Sequence, residues 1–415
     1  MASFEIAFQH MLRGQGMYQK FFEKEDAPGE HLLCSSCFND EGLRLDSIAI
    51  GIDDKIKCIN CGREDGKKLT KSLIRHLCYR FFVRGTIERF EFGGFPLIQM
   101  NELRFNDSDI HVSPWLEQDV KLIEQAGEIG LFYYGPRLWM LGEIEPLKSL
   151  QNVDEIDLMI SKILEVYPIH ILNENHPFYR VRINPTVPYE PGQYDSPPSA
   201  CSGNNRFDSN GEICLYASPD LELCIHECRA TVEDELFVAK LVPKTELKML
   251  NLAAVLKEEG VTEFTSLDLA IHFLFLAGKH SYPICGKIAK SIRENGFDGI
   301  IYPSYFSNVR TGAIPFDTIH GMSIRLLEPL KDFAQSQSIP NVVLFGRPIQ
   351  EQKLSVQSIN KVIINSIKYE MSFGPSYHEN MIGGKSKNDI VESRQEELVG
   401  NVLKAFSQTN DSEPS

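Results

Sequence analysis

The 415-residue chain lacks any run of about 18 uncharged apolar residues, the minimum for a membrane-spanning helix. Its start, MASFEIAFQHMLRGQGMYQKFFEKE, lacks the continuous apolar core of a signal peptide. Positive charge is also short: 42 Lys and Arg against 57 Asp and Glu leave a net charge of -15, so non-specific attraction to nucleic acid or to an anionic membrane is not expected. Any anionic ligand must therefore be met by local cations. No internal repeat is visible. These absences lead us to expect a cytoplasmic protein with neither membrane nor nucleic acid among its partners. What is present, 42% hydrophobic and 24% charged residues, suits a soluble globular protein, and the length suggests two or three domains.

Ten cysteines in a chain of this size, four of them in two close pairs, fit a reducing compartment with metal binding better than a disulfide framework. Cys34 and Cys37 precede Cys58 and Cys61 with twenty residues between the pairs. Two-residue gaps let both thiolates of a knuckle bend toward one tetrahedral ion, and Gly62 suits the tight turn after the last pair. A redox dithiol would need only one such pair, so two matched pairs favour a structural Zn2+ over segment 31–68.

KKLTKSLIRHLCYRFFVRG reads as a helix, with Leu73, Leu77 and Phe81 at four-residue steps. RFEFGGFPLIQM reads as strand with a glycine bend, and EIDLMISKILEVYPI as an amphipathic helix closing the N-terminal half near residue 165. Beyond it, FYRVRIN and LFVAKLV are strand-like, residues 266–278 are helical, and YPICGKIAKSIRENG is a helix stopped by Gly296 that feeds the strand FDGIIYPS. NVVLFGRP and KVIINSIKYEMSF alternate like edge strands. YHENMIGGKSKND reads as a flexible joint, DIVESRQEELVGNVLKAF as a docking or partner helix, and SQTNDSEPS as a disordered tail. Arg104 and His111 have the spacing of a ribonuclease motif, but their polar segment reads as a surface loop.

The densest chemistry lies in SGNNRFDSNGEICLYASPDLELCIHECRA, residues 202–230. Asn210-Gly211 is a hairpin signal, which would put Arg206 and Tyr216 on adjoining strands. In the helix that follows, Ser218 can cap, Pro219 fits the first position and Asp220 complements the dipole. Leu221, Cys224, Ile225, Cys228 and Val232 form one face, with Glu227 at its flank, able to border a cleft. His226 should face elsewhere.

FYRVR, NRFDSNG, LYAS, CIHECR and FDGIIYPS, in that order over roughly residues 176–330, resemble the RES domain family. Phe207 and Asp208 stand where the family often has Trp and Asn. The resemblance implies an α+β protein whose RES domain has the ADP-ribosyltransferase-like fold, with NAD as substrate, a toxin-like activity and room for an inhibitory partner protein. The N-terminal half, mixed or helical with the four-cysteine knuckle, is similar to HEPN/RES extensions. The expected domains are 1–165, 166–335 as the RES domain, a β extension over 336–375 and a flexible tail over 376–415.

The same resemblance assigns roles. Glu227 would stabilise the oxocarbenium-like state as nicotinamide leaves, hold the ribose hydroxyls or polarise the nucleophile. Arg206 and Arg180 would grip the pyrophosphate through their planar forks. Tyr216 would stack on the nicotinamide and orient it, and Ser304 would hydrogen-bond the carboxamide or a phosphate. Arg182 shares the side of Arg180, so either or both could face the cleft. The expected activity is NAD glycohydrolysis or phosphorolysis, ahead of ADP-ribosyl transfer to a macromolecule; a non-catalytic zinc-module binding protein on a RES-like scaffold is the rival from another class.

Overall fold

The computed structural model describes residues 30–84, 98–101, 108–110, 112–133, 144–198, 205–208, 213–313, 317–319, 322–369 and 371–376. The RFEFGG bend, Arg104, His111, Asn210-Gly211, the joint after Ser376, the partner helix and the tail lie outside them. The chain divides after Gly374, and of the second unit only residues 375 and 376 are described.

The N-terminal region builds small paired elements around the cysteines. Strand β1 (Leu33–Cys34), helix α1 (Glu41–Ile50), strand β2 (Lys68–Leu69) and helix α2 (Lys71–Cys78) come first, α2 continuing as a π-helical turn over Tyr79–Arg84. Strand β3 (Ile98–Asn101), helix α3 (Glu117–Gly127) and strand β4 (Gly130–Tyr133) complete it. Asp40 and Thr70 cap α1 and α2 by accepting from Leu43 N at 3.0 Å and Leu73 N at 3.2 Å. Leu33, Leu43, Leu69, Leu77, Phe81, Ile123 and Leu131 share one buried core.

A second set of elements surrounds two stacked sheets. It runs α4 (Glu145–Gln151), α5 (Ile156–Val166), β5 (Ile169–Leu172), β6 (Phe178–Ile183), β7 (Cys214–Ala217), α6 (Leu221–Cys228), β8 (Leu236–Pro243) and β9 (Leu247–Asn251). Then follow α7 (Leu267–Leu276), α8 (Tyr282–Glu294), β10 (Gly299–Pro303), α9 (Ser307–Thr311), the short pair β11 (Thr318–Ile319) and β12 (Met322–Ser323), α10 (Lys331–Ser336), β13 (Pro340–Phe345) and β14 (Leu354–Val362). The protein is α+β.

The main sheet has the order β5-β9-β10-β13-β7, parallel only between β9 and β10; the second is β14-β8-β6. Strict alternation sorts the side chains. Tyr216, Ile300, Tyr302, Val343 and Phe345 face the helices α4, α5, α7 and α8, while Leu215, Ile301, Val342 and Leu344 face the second sheet across a core shared with Phe178, Ala239 and Leu241. Gly299 is required by close approach, since a Cβ there would strike Val343 O of the neighbouring strand. Gly296, at φ 77°, ends α8 as its position in the sequence indicates.

Two sequence expectations change here. β13 is not an edge strand: it lies between β10 and β7, with Asn341 to Phe345 all buried, because a nearly unbroken apolar run fits a strand covered on both faces. KVIINSIKYEMSF is strand only to Val362, where its pairing with β8 ends. The stretch 336–375 thus supplies one strand to each sheet. Helices α4 and α5, on the N-terminal side of a boundary near 165, bury Leu147, Leu150, Ile160 and Ile163 in the core that holds Phe207 and Tyr302.

Candidate active site and cysteine cluster

The site is built where β10, β13 and α6 meet. Ser218 Oγ accepts from Asp220 N at 3.2 Å and donates to Pro340 O at 3.0 Å, tying the exit of β7 to the start of β13. The helix cap itself is Asp220, which accepts from Leu223 N at 2.8 Å. This corrects the expectation of a Ser218 cap: Pro219 precedes the helix, leaving the next residue to serve its first free N–H groups. Leu221, Cys224, Ile225 and Cys228 pack against Tyr179, Val181 and Ile183 of β6. Val232 does not continue that face, because α6 ends at Arg229 in the left-handed region, φ 52°.

Glu227 lies off the apolar stripe and is exposed, yet one of its oxygens is fixed. Oε1 accepts from Ser304 Oγ at 2.5 Å and from Asn341 Nδ2 at 2.6 Å. Both donors are buried, at 3% and 4% exposure. Ser304 follows β10, where its own N–H donates to Ile339 O at 3.0 Å, and Ser307 Oγ closes the same loop onto Ile339 O at 3.0 Å. Asn341 stands directly opposite Tyr302 in the antiparallel ladder. Burial first, and then the Glu227 charge, push the Tyr302 phenol well up, whereas the Arg206 charge and a hydrogen bond with the Asn341 side chain act the other way. Beside Glu227, His226 stacks on Phe306 at 6.2 Å between ring centroids.

Tyr216 and Arg206 come together, but not on adjoining strands. Asn205 to Asp208 is a turn, closed by Asp208 accepting from Asn205 N at 2.6 Å and Asn205 Nδ2 at 2.7 Å, a local side-chain bond that competes with strand pairing. The strand beside β7 is β13. Tyr216 Oη accepts from Phe207 N at 3.0 Å, and burial pushes its phenol well above the usual range. Arg206 donates to Leu274 O at 2.9 Å and Ala277 O at 3.1 Å, at the C-terminal end of α7. Arg180 and Arg182 share one side of β6, as the alternation indicates. Arg180 donates to Tyr216 O at 2.8 Å and Asp195 O at 3.2 Å; Arg182 donates to Gln193 O at 2.9 Å and Asp195 O at 3.1 Å. Burial, reinforced by the Arg182 charge, pushes Arg180 down to about 9, still a cation at neutral pH. The positive charge of these arginines is therefore directed to main-chain carbonyls, although Arg180 Nε keeps no partner.

Asn341 and Tyr302 were missed by the sequence reading. The available signal was one polar residue opening the apolar run NVVLF.

The four cysteines converge as their spacing indicates. Sγ of Cys34 lies 3.8 Å from that of Cys37 and 3.5 Å from that of Cys61, and Cys37 Sγ lies 3.6 Å from Cys58 Sγ. A tetrahedral ion with bonds of about 2.3 Å sets its sulfurs about 3.8 Å apart, so the cluster can hold a metal ion of that geometry. Cys34 N and Asn60 Nδ2 each donate to Cys37 Sγ at 3.4 Å, and Gly62, at φ 71°, donates to Cys58 O at 2.8 Å to close the second knuckle. No other group of three or more candidate ligands occurs among the described residues. No described helix is long and apolar enough to cross a membrane.

Residues 177–320, about a third of the chain, match the family model of the RES domain. Curated proteins give no match. Among solved structures, a chain of the M. tuberculosis MbcT-MbcA toxin-antitoxin complex aligns with 49% of this chain and 91% of its own length, at 11% identity and a TM-score of 0.27, a likeness too loose to build on. Arg180, Arg206, Tyr216, Glu227 and Ser304 fall inside the matched stretch; Asn341 falls outside it.

Proposed function

Since residues 177–320 are a RES domain, a family that is in general NAD-consuming and toxin-like, we propose that this protein cleaves the N-glycosidic bond between nicotinamide and ribose in NAD. The observation that carries the reading is the Glu227 carboxylate: one oxygen held by two buried donors, the rest of the side chain open to solvent at the junction of α6, β10 and β13. The leaving nicotinamide is cationic in NAD and departs as a neutral molecule, so the reaction needs no general acid. It needs negative charge beside the ribose carbon as that carbon becomes electron-deficient. Two donors on Oε1 fix the direction of the Glu227 carboxylate, which leaves Oε2 for the ribose or for the incoming nucleophile.

The other roles follow from position. Ser304 serves Glu227 directly. Tyr216 and the fully buried Phe207 form a wall of packed rings with Tyr302, the Tyr216 and Phe207 rings 6.4 Å apart. Among Arg180, Arg182 and Arg206, Arg180 is the one whose Nε is buried without a partner and could serve a phosphate. Arg206, already engaged at the end of α7, supports the wall and would reach a pyrophosphate only by exchanging partners. With the arginines occupied, hydrolysis needs less of the site than phosphorolysis or transfer, because water brings no charge to be neutralised. The four cysteines would hold Zn2+ as a structural ion in the N-terminal module.

Incubation with labelled NAD, with and without phosphate, tests the reading. Free ADP-ribose marks hydrolysis, ADP-ribose-1″-phosphate marks phosphorolysis, and label retained on macromolecules marks transfer. Glu227→Gln keeps the shape and loses the charge, so turnover should fall at least about a hundredfold. Unchanged turnover in that variant would remove Glu227 from the mechanism, and a wild type that leaves NAD intact would favour a non-catalytic binding protein.

A further inference from the structure

The fold treats the two ends of the Asn341 amide differently. Nδ2 donates to Glu227 Oε1 at 2.6 Å, whereas Oδ1, on a residue only 4% exposed, has no hydrogen-bond partner. The orientation cannot be reversed without loss. Turned over, the amide would set its oxygen against a carboxylate oxygen that Ser304 already serves, and two acceptors would face each other. A buried acceptor without a donor is costly, and every residue from Val342 to Phe345 is apolar and buried. An apolar residue at 341 would avoid that cost while continuing the strand. The amide is thus kept at a price in stability at the one position where it touches Glu227.

We propose that Asn341 is a positioning residue for the reaction proposed above, on which this inference rests. Its Nδ2 locks Glu227 Oε1, so that Oε2 is presented to the substrate. Its Oδ1 accepts a hydroxyl hydrogen of the nicotinamide ribose when NAD is bound, which gives the orphan acceptor its donor. Tyr302, opposite on β10, is buried and hydrogen-bonds the same amide in the sense that lowers its phenol pKa, which uses the N–H end and leaves Oδ1 free. Sequence separation hides the assignment: Asn341 is 114 residues from Glu227 and beyond the end of the matched RES stretch.

Two substitutions separate positioning from packing. Asn341→Leu keeps the γ-branched shape and removes both polar ends of the amide, and should lower kcat about a hundredfold, the scale of a misplaced catalytic group. Asn341→Asp keeps an acceptor but can donate to Glu227 only when its new carboxyl is protonated; two carboxylates sharing a site raise the pKa of one of them. Its turnover relative to wild type should therefore recover as the pH is lowered from 8 toward 5, while Asn341→Leu recovers at no pH. A packing role gives no such recovery. The second readout needs no NAD. The Tm deficit of Asn341→Asp should grow with pH, and adding Glu227→Gln should abolish that dependence, because the new amide can donate to the new carboxylate. Wild-type kcat in Asn341→Leu, or a pH-independent deficit in Asn341→Asp, overturns the assignment and leaves NAD cleavage standing. If the wild type itself leaves NAD intact, the functional reading falls, and the Tm coupling alone decides whether Asn341 sets Glu227: dependence abolished by Glu227→Gln supports it, and its absence overturns it.

Discussion

Arg206 offers the sharpest separation between a ligand-gripping role and a structural one. It is half-buried, with its guanidinium carbon 5.6 Å from the Phe275 ring centroid and 5.2 Å from that of Tyr282. Its terminal nitrogens serve the carbonyls of Leu274 and Ala277, groups that a helix end leaves without internal partners. Arg206→Ala removes two main-chain hydrogen bonds from a charged donor, each contributing about 1.5–3 kcal/mol, besides a long one to Ser281 Oγ at 3.4 Å, and two cation–π contacts of about 0.5–2 kcal/mol. Water reaches a half-buried site and rehydrates the freed carbonyls, so the low ends apply and the loss is about 3–4 kcal/mol. In a cooperative unit of 150–250 residues each kcal/mol moves Tm by about 2–4 °C, which gives a fall of about 6–16 °C. Arg206→Lys keeps the charge without the fork, reaches one carbonyl and should fall about half as far. Thermal melts without NAD provide the assay. An alanine variant that melts within about 2 °C of wild type, yet binds NAD poorly, would refute this account and return Arg206 to the pyrophosphate.

Two further outcomes concern the N-terminal region. Purified, reduced protein should carry about one zinc per chain, and Cys58→Ser should unfold the module built on Leu33 to Leu131 while the core around Phe207 and Tyr302, which shares no residue with it, persists; metal analysis that finds none would sink the site. The carboxylate of Asp46, fully buried on α1, takes Arg80 Nε at 2.9 Å and Phe373 N at 3.2 Å, and Arg80 also donates to Met371 O, so the chain after β14 is strapped across α1 and α2. Asp46→Ala removes the carboxylate that pairs with a buried guanidinium, a loss of about 3–5 kcal/mol, and should expose residues 371–373 to limited proteolysis; resistance equal to wild type would show that the strap is held by something else.

How much of this could be read from the sequence depended on the range of the interaction involved. The cysteine knuckles are local: two-residue gaps and Gly62 determine their own geometry, and the four sulfurs meet. Helices α5, α7 and α8 announce themselves through periodicity, and α8 stops where Gly296 takes a positive φ. Glu227 and Ser304, 77 residues apart, entered the reading as site residues only because the order of blocks resembled the RES domain; the hydrogen bond between them did not, and Ser304 was expected on the carboxamide or a phosphate instead. Where the sequence reading failed, a local competitor or a distant partner had decided the outcome. Asp208 folds the Arg206 segment into a turn before any strand partner is available, and Asp220 takes the cap from Ser218, whose hydroxyl is drawn to Pro340 O, 122 residues away. The arginines show the same limit in chemical form. Composition counts them as charge available for phosphate, but a guanidinium has five donors, and those of Arg180 and Arg182, on β6 of the second sheet, go to the main-chain carbonyls of Gln193, Asp195 and Tyr216. A cation's availability to a ligand is thus a property of the surrounding carbonyls, which the residue's identity does not encode. The orphan Oδ1 of Asn341 and Nε of Arg180 are informative for the converse reason: each is a polar atom that the fold buries and then leaves unserved.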